Sequence, residues 1–234
     1  MDRTRVLVLD AAADDRDSVT TLLEGEGFAV DAAADASGAL DAVRASDAAV
    51  IVLDLDLPGG DGVELCRRLR ATTDAYVVAV AARLDEDAKL SALAAGADDC
   101  VTKPFSQREL VARIRAMLRR PRAPAAASHG GARQVGRVSV DVAAREVRVD
   151  DRAVELTRIE FDLIEALSER PRVALSRRQL LERVWGPNWF GDDHVVDVHV
   201  SKLRRKLGDD GRSPWLVRTV RGVGYRLDGG VEGP

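Results

Sequence analysis

Asp10, Asp54 and Lys103 each follow a short run of aliphatic, largely β-branched residues. Two carboxylates and a lysine gathered at one edge of a sheet make a phosphoryl-accepting arrangement. One Asp attacks phosphorus, a divalent cation offsets the phosphoryl charge, and the lysine pairs with a phosphoryl oxygen. A second set lies further along the chain. Val196, Val200, Leu203 and Leu207 repeat at three-to-four spacing, while Val198, His199, Lys202, Arg204, Arg205 and Lys206 fill the other faces. An apolar stripe with long cationic donors around it suits a helix in a DNA major groove. There Arg and Lys read guanine edges and Val198 meets a thymine methyl.

These residues meet only if particular elements bring them together. In residues 1–120, aliphatic runs at 5–9, 28–32, 49–54, 76–80 and 100–102 alternate with amphipathic stretches at 16–24, 36–44, 62–69, 86–95 and 108–118. That alternation predicts an α/β doubly wound, five-stranded parallel sheet. Functional residues of such sheets gather beyond the carboxyl ends of the strands, at a topological switch point. An Ala-, Pro- and Gly-rich run without apolar periodicity follows, and 121–134 reads as a flexible linker. Residues 135–234 form a second domain. It has short strands over 135–156 that turn at Asp150-Asp151, then helices over 158–169, 177–185 and 194–207. A hairpin over 216–227 follows, with Gly222 and Gly224 as positive-φ turn residues. This order predicts an α+β winged helix. Thr157 with Glu160, and Ser176 with Gln179, have capping-box spacing.

Composition sets the limits. A chain of 234 residues accommodates two domains. Net charge is −4, but it is unevenly spread: residues 1–120 carry 15 Lys/Arg against 22 Asp/Glu, and 172–226 carry 12 against 6. A basic C-terminal region behind an acidic one points to a nucleic-acid partner. Apolar runs such as 48–53 and 76–82 fall far short of the roughly 20 residues that span a bilayer, so no membrane partner is expected. The N-terminal run is too short for a signal peptide. Cys66 and Cys100 form no disulfide framework or zinc site. A reduced, cytoplasmic protein is expected.

Asp54-Leu55-Asp56-Leu57-Pro58-Gly59-Gly60-Asp61-Gly62, together with Gly96-Ala97-Asp98-Asp99-Cys100-Val101-Thr102-Lys103-Pro104-Phe105, resembles a response-regulator receiver over essentially all of 1–120. The resemblance implies a flavodoxin-like fold, Asp54 as phospho-acceptor, Lys103 as phosphoryl partner and a cis bond before Pro104. Three departures stand out. Ala11 replaces the residue that ligates Mg²⁺ directly in the family, Ala81 replaces the hydroxyl residue of the switch, and Cys100 replaces its aromatic reporter. The expected metal site is therefore a weak Mg²⁺ site on Asp10 and Asp54, and phosphorylation is expected to be weak or lost. Asp14 and Asp15 lie in the first loop, with Asp14 read as an N-cap. Three readings of Asp56 are open: a cation ligand, a partner of Arg83 covering the site, or a solvated loop residue. The Asp54-Leu55-Asp56 triplet also resembles haloacid-dehalogenase-type phosphatases, but Pro58 stands where that pattern wants Thr or Val. No enzyme activity is expected.

Lys89, Leu90, Leu93, Asp99, Glu109, Ala112, Arg113 and Arg115 match the positions through which OmpR/PhoB-type regulators form two-fold dimers, Lys against Glu and Asp against Arg. Residues 156–227 resemble the winged helix of the same family in Leu156-Thr157-Arg158-Ile159-Glu160-Phe161, Ser176-Arg177-Arg178-Gln179-Leu180-Leu181, Val184-Trp185-Gly186, Val196-Asp197-Val198-His199 and Thr219-Val220-Arg221-Gly222-Val223-Gly224-Tyr225-Arg226. That resemblance implies Val198, Lys202 and Arg204 near bases, with Arg205 on the same DNA-facing helix. It also implies Trp185 and His199 near phosphates and Arg221 in the minor groove. His194 is counted with the DNA-binding residues, but His194-Val195 stands where the family often has Arg-Thr, so one or two phosphate contacts are expected to be lost there; no metal is expected at His194 or His199. In 187–191, Trp189 and Phe190 are read either as core or as the contact to RNA polymerase. The implied partners are double-stranded DNA with tandem repeats, a second copy of the chain, RNA polymerase and a sensor histidine kinase. The reading is a dimeric DNA-binding transcriptional regulator with little or no dependence on phosphorylation. Its rivals are a conventional kinase-controlled regulator in which Asp10 and Asp56 share the cation, and a ligand-binding or phosphatase-like receiver.

Overall fold

The computed structural model describes residues 3–58, 61–118, 132–187, 189, 192–209 and 213–229. The chain divides into two compact units, Met1–Leu118 and Arg119–Pro234.

In the first unit, strands β1 (Arg5–Leu9), β2 (Ala29–Ala33), β3 (Val50–Asp54), β4 (Tyr76–Ala81) and β5 (Asp99–Thr102) form one parallel sheet in the order β2-β1-β3-β4-β5. Helices α1 (Ala13–Gly25), α2 (Ala36–Ala45), α3 (Gly62–Arg70), α4 (Glu86–Ala95) and α5 (Gln107–Leu118) connect and cover it. Every residue of β3 and β4 is buried, which is why those strands read as unbroken aliphatic runs rather than alternating ones. The chain leaves β1 toward one edge and returns through β3 to the other. The loops after β1 and β3 thus flank the reversal, and Asp10 and Asp54 stand there. Asp35, Asp61 and Asp85 cap α2, α3 and α4 through their side chains. The cap position of α1 is Ala12, without a side-chain bond. Asp14, expected as an N-cap, lies instead in the first turn, because the helix already begins at Ala13.

The second unit opens on the antiparallel strands β6 (Arg133–Val135), β7 (Val138–Asp141), β8 (Glu146–Val149) and β9 (Arg152–Val154). Most of the stretch expected as a linker lies outside the described residues, but Arg133 and Gln134 already belong to β6. Both pair with β7, and the Arg133 guanidinium bonds the Glu165 carbonyl and the Ser168 hydroxyl. Asp150 and Asp151 both take positive φ, 48° and 63°, between β8 and β9. This is the two-residue turn whose twist matches that of the strands it joins.

Helices α6 (Arg158–Ser168), α7 (Arg177–Val184) and α8 (His194–Lys206) follow, with the expected capping boxes on α6 and α7. The hairpin of β11 (Val217–Val220) and β12 (Gly224–Leu227) is not isolated. A two-residue strand β10 (Leu175–Ser176), too short for a periodicity to register, pairs with β12 and makes a third strand. Gly222 has the expected positive φ of 71°, but Gly224 serves a different purpose. A Cβ there would lie 2.1 Å from the Leu175 carbonyl oxygen, so glycine is required by the close approach of β10. Gly224→Ala is therefore expected to destabilise the second unit by about 1–3 kcal/mol. Denaturant unfolding followed by tryptophan emission reads this directly, since all three tryptophans lie beyond residue 180.

Candidate functional site

At the carboxyl edge of the parallel sheet the side chains of Asp10, Asp54 and Lys103 converge as the sequence predicts. The Lys103 ammonium donates to Asp10 Oδ2 at 2.8 Å and to Asp54 Oδ2 at 3.0 Å, and both carboxylates are buried. The Lys103–Pro104 peptide is cis. A third carboxylate joins them: Asp15 Oδ2 accepts from the same ammonium at 3.0 Å. From the sequence Asp15 is a residue of the first loop; in the structure it stands in the first turn of α1. Its signal was the displaced acidic pair Asp14-Asp15, carried into the first turn of α1 by the Ala11-Ala12-Ala13 run.

The other oxygens of the buried pair are taken by backbone. Asp10 Oδ1 accepts the Ala12 N–H at 2.9 Å, and Asp54 Oδ1 accepts the Asp56 N–H at 3.0 Å. Asp56 reaches toward neither the lysine nor Arg83. Its Oδ2 accepts the Ala82 N–H at 2.7 Å, because the loop after β3 lies beside the end of β4. Burial raises the Asp54 carboxyl above its ordinary range, opposed by the Asp56 N–H and Lys103 and reinforced by Asp10. Burial works against the Lys103 charge, but the hydrogen bonds to Asp10, Asp54 and Asp15 outweigh it and lift the ammonium above its ordinary value. Ala81 ends β4 without a hydroxyl. Cys100 is half-buried, and burial together with the Asp99 charge pushes its thiol far above the ordinary range, so it stays protonated.

The α4–β5–α5 surface departs from expectation in its ion pairs. Arg113 was expected to reach across to a second copy. It is instead buried and bonds Asp99 at 2.9 Å and Glu109 at 2.7 Å within its own chain, since β5 and the preceding turn of α5 stand beside it. Arg115 turns to Glu26 at the end of α1, away from α4. Leu93 is part of the core. Leu90, at 38% exposed, and Ala112 remain as the accessible apolar residues, with Lys89 and Glu109 half-buried beside them. Burial outweighs Arg113 and pushes the Asp99 carboxyl up to about 7.

In the second unit the apolar stripe of α8 is wider than predicted. Val195 and His199 are buried with Val196, Val200 and Leu203. Trp185, fully enclosed, and His199, 1% exposed, were expected beside phosphates. Their rings instead meet at 5.7 Å in the seam between α7 and α8. Trp189 is buried against Trp185, whereas Phe190 lies outside the described residues. Arg204 was expected near bases. Its guanidinium bonds the Val217 carbonyl at 2.6 and 2.8 Å and the Thr219 hydroxyl at 2.9 Å, holding β11 against α8. Asp197 accepts from Arg177 and from the Tyr225 hydroxyl, each at 2.7 Å, and so joins α7, α8 and β12. Sequence spacing gave no sign of that three-way link.

His194, Val198, Ser201, Lys202 and Arg205 lie on one accessible face of α8, and Lys206, which bonds Glu160, is exposed as well. Arg205 and Arg221 are exposed, with no ion-pair partner among the described residues. Asp192, Asp193 and His194 gather donor atoms within 4.8 Å of one another, closer than the sequence reading allowed. All three are exposed, and Asp192 already accepts the His194 N–H. No helix among the described residues is long and apolar enough to cross a membrane.

Residues 6–115 match the response regulator receiver domain family, and 151–227 match the family described as transcriptional regulatory protein, C terminal. The chain is 41% identical to the sensory transduction protein RegX3 of Mycolicibacterium smegmatis over 97% of its length and all of the relative's. It is 42% identical to the DNA-binding response regulator MtrA of the same organism, over 96% of each. Identity to the transcriptional regulatory protein CseB of Streptomyces coelicolor is 43%, over 97% of this chain and 98% of that one. Among solved structures, a mutant of RitR superposes with a TM-score of 0.73 at 25% identity, over 96% of this chain and 99% of that one. The response regulator DrrB of Thermotoga maritima, an OmpR/PhoB homologue, gives 0.51 at 27%, over 97% and 100%. Receiver domains commonly bind Mg²⁺ at the phosphorylation site.

The bonds of Arg204 and the burial of Asp99 have measurable consequences. Arg204→Ala is expected to lower the stability of the second unit by about 1.5–3 kcal/mol, the scale of a hydrogen bond from a charged group. It is also expected to weaken DNA binding alike on all sequences; loss confined to one base position, in an anisotropy titration, would return Arg204 to the bases. For Asp99, the folded receiver holds a proton up to about pH 7 that the unfolded chain releases near 3.8. Receiver stability is therefore expected to fall as pH rises from about 4 to 7 and then level off. Asp99→Asn should remove that part of the slope in denaturant melts followed by far-UV circular dichroism.

Proposed function

The chain belongs to the OmpR/PhoB-type response-regulator family, and within it we propose a transcriptional regulator whose DNA binding depends little or not at all on phosphorylation of Asp54. The observation that carries this reading is the state of the pocket. Lys103 is held by three carboxylates, Ala11 offers no metal-ligand carboxylate and Ala81 offers no hydroxyl to a phosphoryl group. The lysine that would pair with a phosphoryl oxygen is already fully engaged.

Double-stranded DNA is met by α8 and the β11–β12 wing. Val198, Lys202 and Arg205 lie in the major groove and Arg221 reaches the minor groove. His194 supplies a weaker phosphate contact than the Arg it replaces. The pattern matches the recognition-helix-plus-wing mode of helix-turn-helix proteins. Two receivers pair through Leu90 and Ala112 with Lys89 and Glu109 around them, so that two winged helices occupy tandem repeats. Linked modules gain occupancy through effective concentration rather than through new contacts. RNA polymerase is the further partner of such a regulator, and the setting is cytoplasmic.

A second reading has its own support. Asp54 and Lys103 are both present at 3.0 Å, which is the acceptor and partner of a conventional kinase-controlled receiver. Intact-mass measurement after incubation with a small phosphodonor and Mg²⁺ separates the two. The proposal expects no added phosphoryl group, and Asp54→Asn is expected to shift the dissociation constant for DNA by less than about threefold, under about 0.7 kcal/mol. One added group on the wild type and none on the variant, with DNA affinity rising on addition, would instead establish a conventional phosphorylation-dependent regulator.

A further inference from the structure

We propose that Asp15 takes over the place vacated by the missing strand-end carboxylate and turns it to a different use: it completes the acceptor set of Lys103, so that the lysine and not a divalent cation is the resident charge of the pocket. An ammonium has three N–H donors and no acceptor. Here three carboxylate oxygens lie at 2.8, 3.0 and 3.0 Å from one nitrogen, which uses every donor. Without Asp15 one donor would face solvent, and the lysine would be free to swing between the two buried carboxylates.

The donor set does not fit Mg²⁺. That ion demands near-ideal octahedral oxygen coordination at about 2.0–2.1 Å. Ala11 supplies no carboxylate. Asp10 Oδ1 and Asp54 Oδ1 are engaged by backbone N–H groups, and the remaining oxygens of both residues face the lysine. A second cation reinforces the exclusion. Arg16 Nη1 donates to the Asp10 carbonyl at 2.8 Å and lies 3.4 Å from the Ala11 carbonyl, so a guanidinium covers the backbone beside the vacated position. A metal ion entering there would meet two fixed positive charges and would have to break the lysine's bonds.

This inference rests on the reading of a receiver that works without phosphorylation, and the test keeps the two apart. The full-length chain is titrated with Mn²⁺, with free ion followed by electron paramagnetic resonance and folding checked by circular dichroism. Wild type is expected to bind no tighter than millimolar. Lys103→Met should bind at least tenfold tighter, because three carboxylates are released. Adding Asp15→Asn to Lys103→Met should abolish most of that gain, while Asp15→Asn alone leaves the weak wild-type binding unchanged. Lys103→Gln, which keeps an N–H donor and removes the charge, gives the same comparison if Lys103→Met does not fold. Wild-type binding as tight as that of Lys103→Met, or a gain indifferent to Asp15, would overturn the proposal. Tight wild-type Mn²⁺ binding without phosphoryl uptake would defeat this inference and leave the functional reading intact. Phosphoryl uptake without Mn²⁺ binding would do the reverse.

Discussion

The Lys103 ammonium, shared among the ends of β1, β3 and the first turn of α1, is the interaction on which the receiver's site depends. Parallel strands place their carboxyl ends on one edge, and a doubly wound order brings the loops after β1 and β3 side by side. Two carboxylates forced together there repel unless a cation stands between them. With a carboxylate missing at Ala11, the balance shifts from an external cation toward the internal one. Burial strengthens the bonds from Lys103 to Asp10 and Asp54, because charge-assisted hydrogen bonds gain when water is excluded, whereas Asp15 remains more than half exposed.

The second unit spends its charges in a similar way. Asp197 binds Arg177 and Tyr225, Arg204 binds the backbone of β11, and Lys206 binds the nearly fully buried Glu160 at 2.7 Å. Three helices and a three-stranded wing enclose a small core, and these polar links fix how α8 sits against the wing. Charges that a count of cations assigns to DNA are thus committed to assembly. Asp209, buried between α8 and β11, accepts the N–H groups of Trp215, Leu216 and Val217 and sets the start of the wing by the same means.

Much of this was legible in the sequence, for identifiable reasons. The central strands β3 and β4 announced themselves through unbroken aliphatic runs, and α6 and α7 through capping boxes whose chemistry is local. Asp10, Asp54 and Lys103 were legible because strand ends in this topology have one place to go. What was hidden depends on side-chain reach rather than on period. Asp15 becomes part of the pocket only when α1 begins at Ala13, Arg204 looks free until β11 lies beside it, and Arg113 looks available to a partner until β5 of its own chain is in place. β10 was hidden by its length, and the need for Gly224 by the fact that the crowding atom, the Leu175 carbonyl oxygen, is remote in sequence.

The committed cations also bear on how DNA is held. Each phosphate neutralised adds to affinity and to its dependence on salt, whereas base-edge contacts set sequence preference. Arg204 and Arg177 are bonded within the fold and His194 stands in place of a permanently charged residue, whereas Arg205 on α8 and Arg221 on the wing are exposed. In the proposed DNA-binding mode a single module makes few phosphate contacts and gains little from nonspecific attraction. Its occupancy of a site must come from fit at the base edges and from a second module held close by. The pairing proposed for the receivers supplies the latter without any change at Asp54. The reading proposed above, in which protein concentration and partner contacts take the place of a phosphoryl switch, rests on a pocket whose lysine is already bonded to three carboxylates.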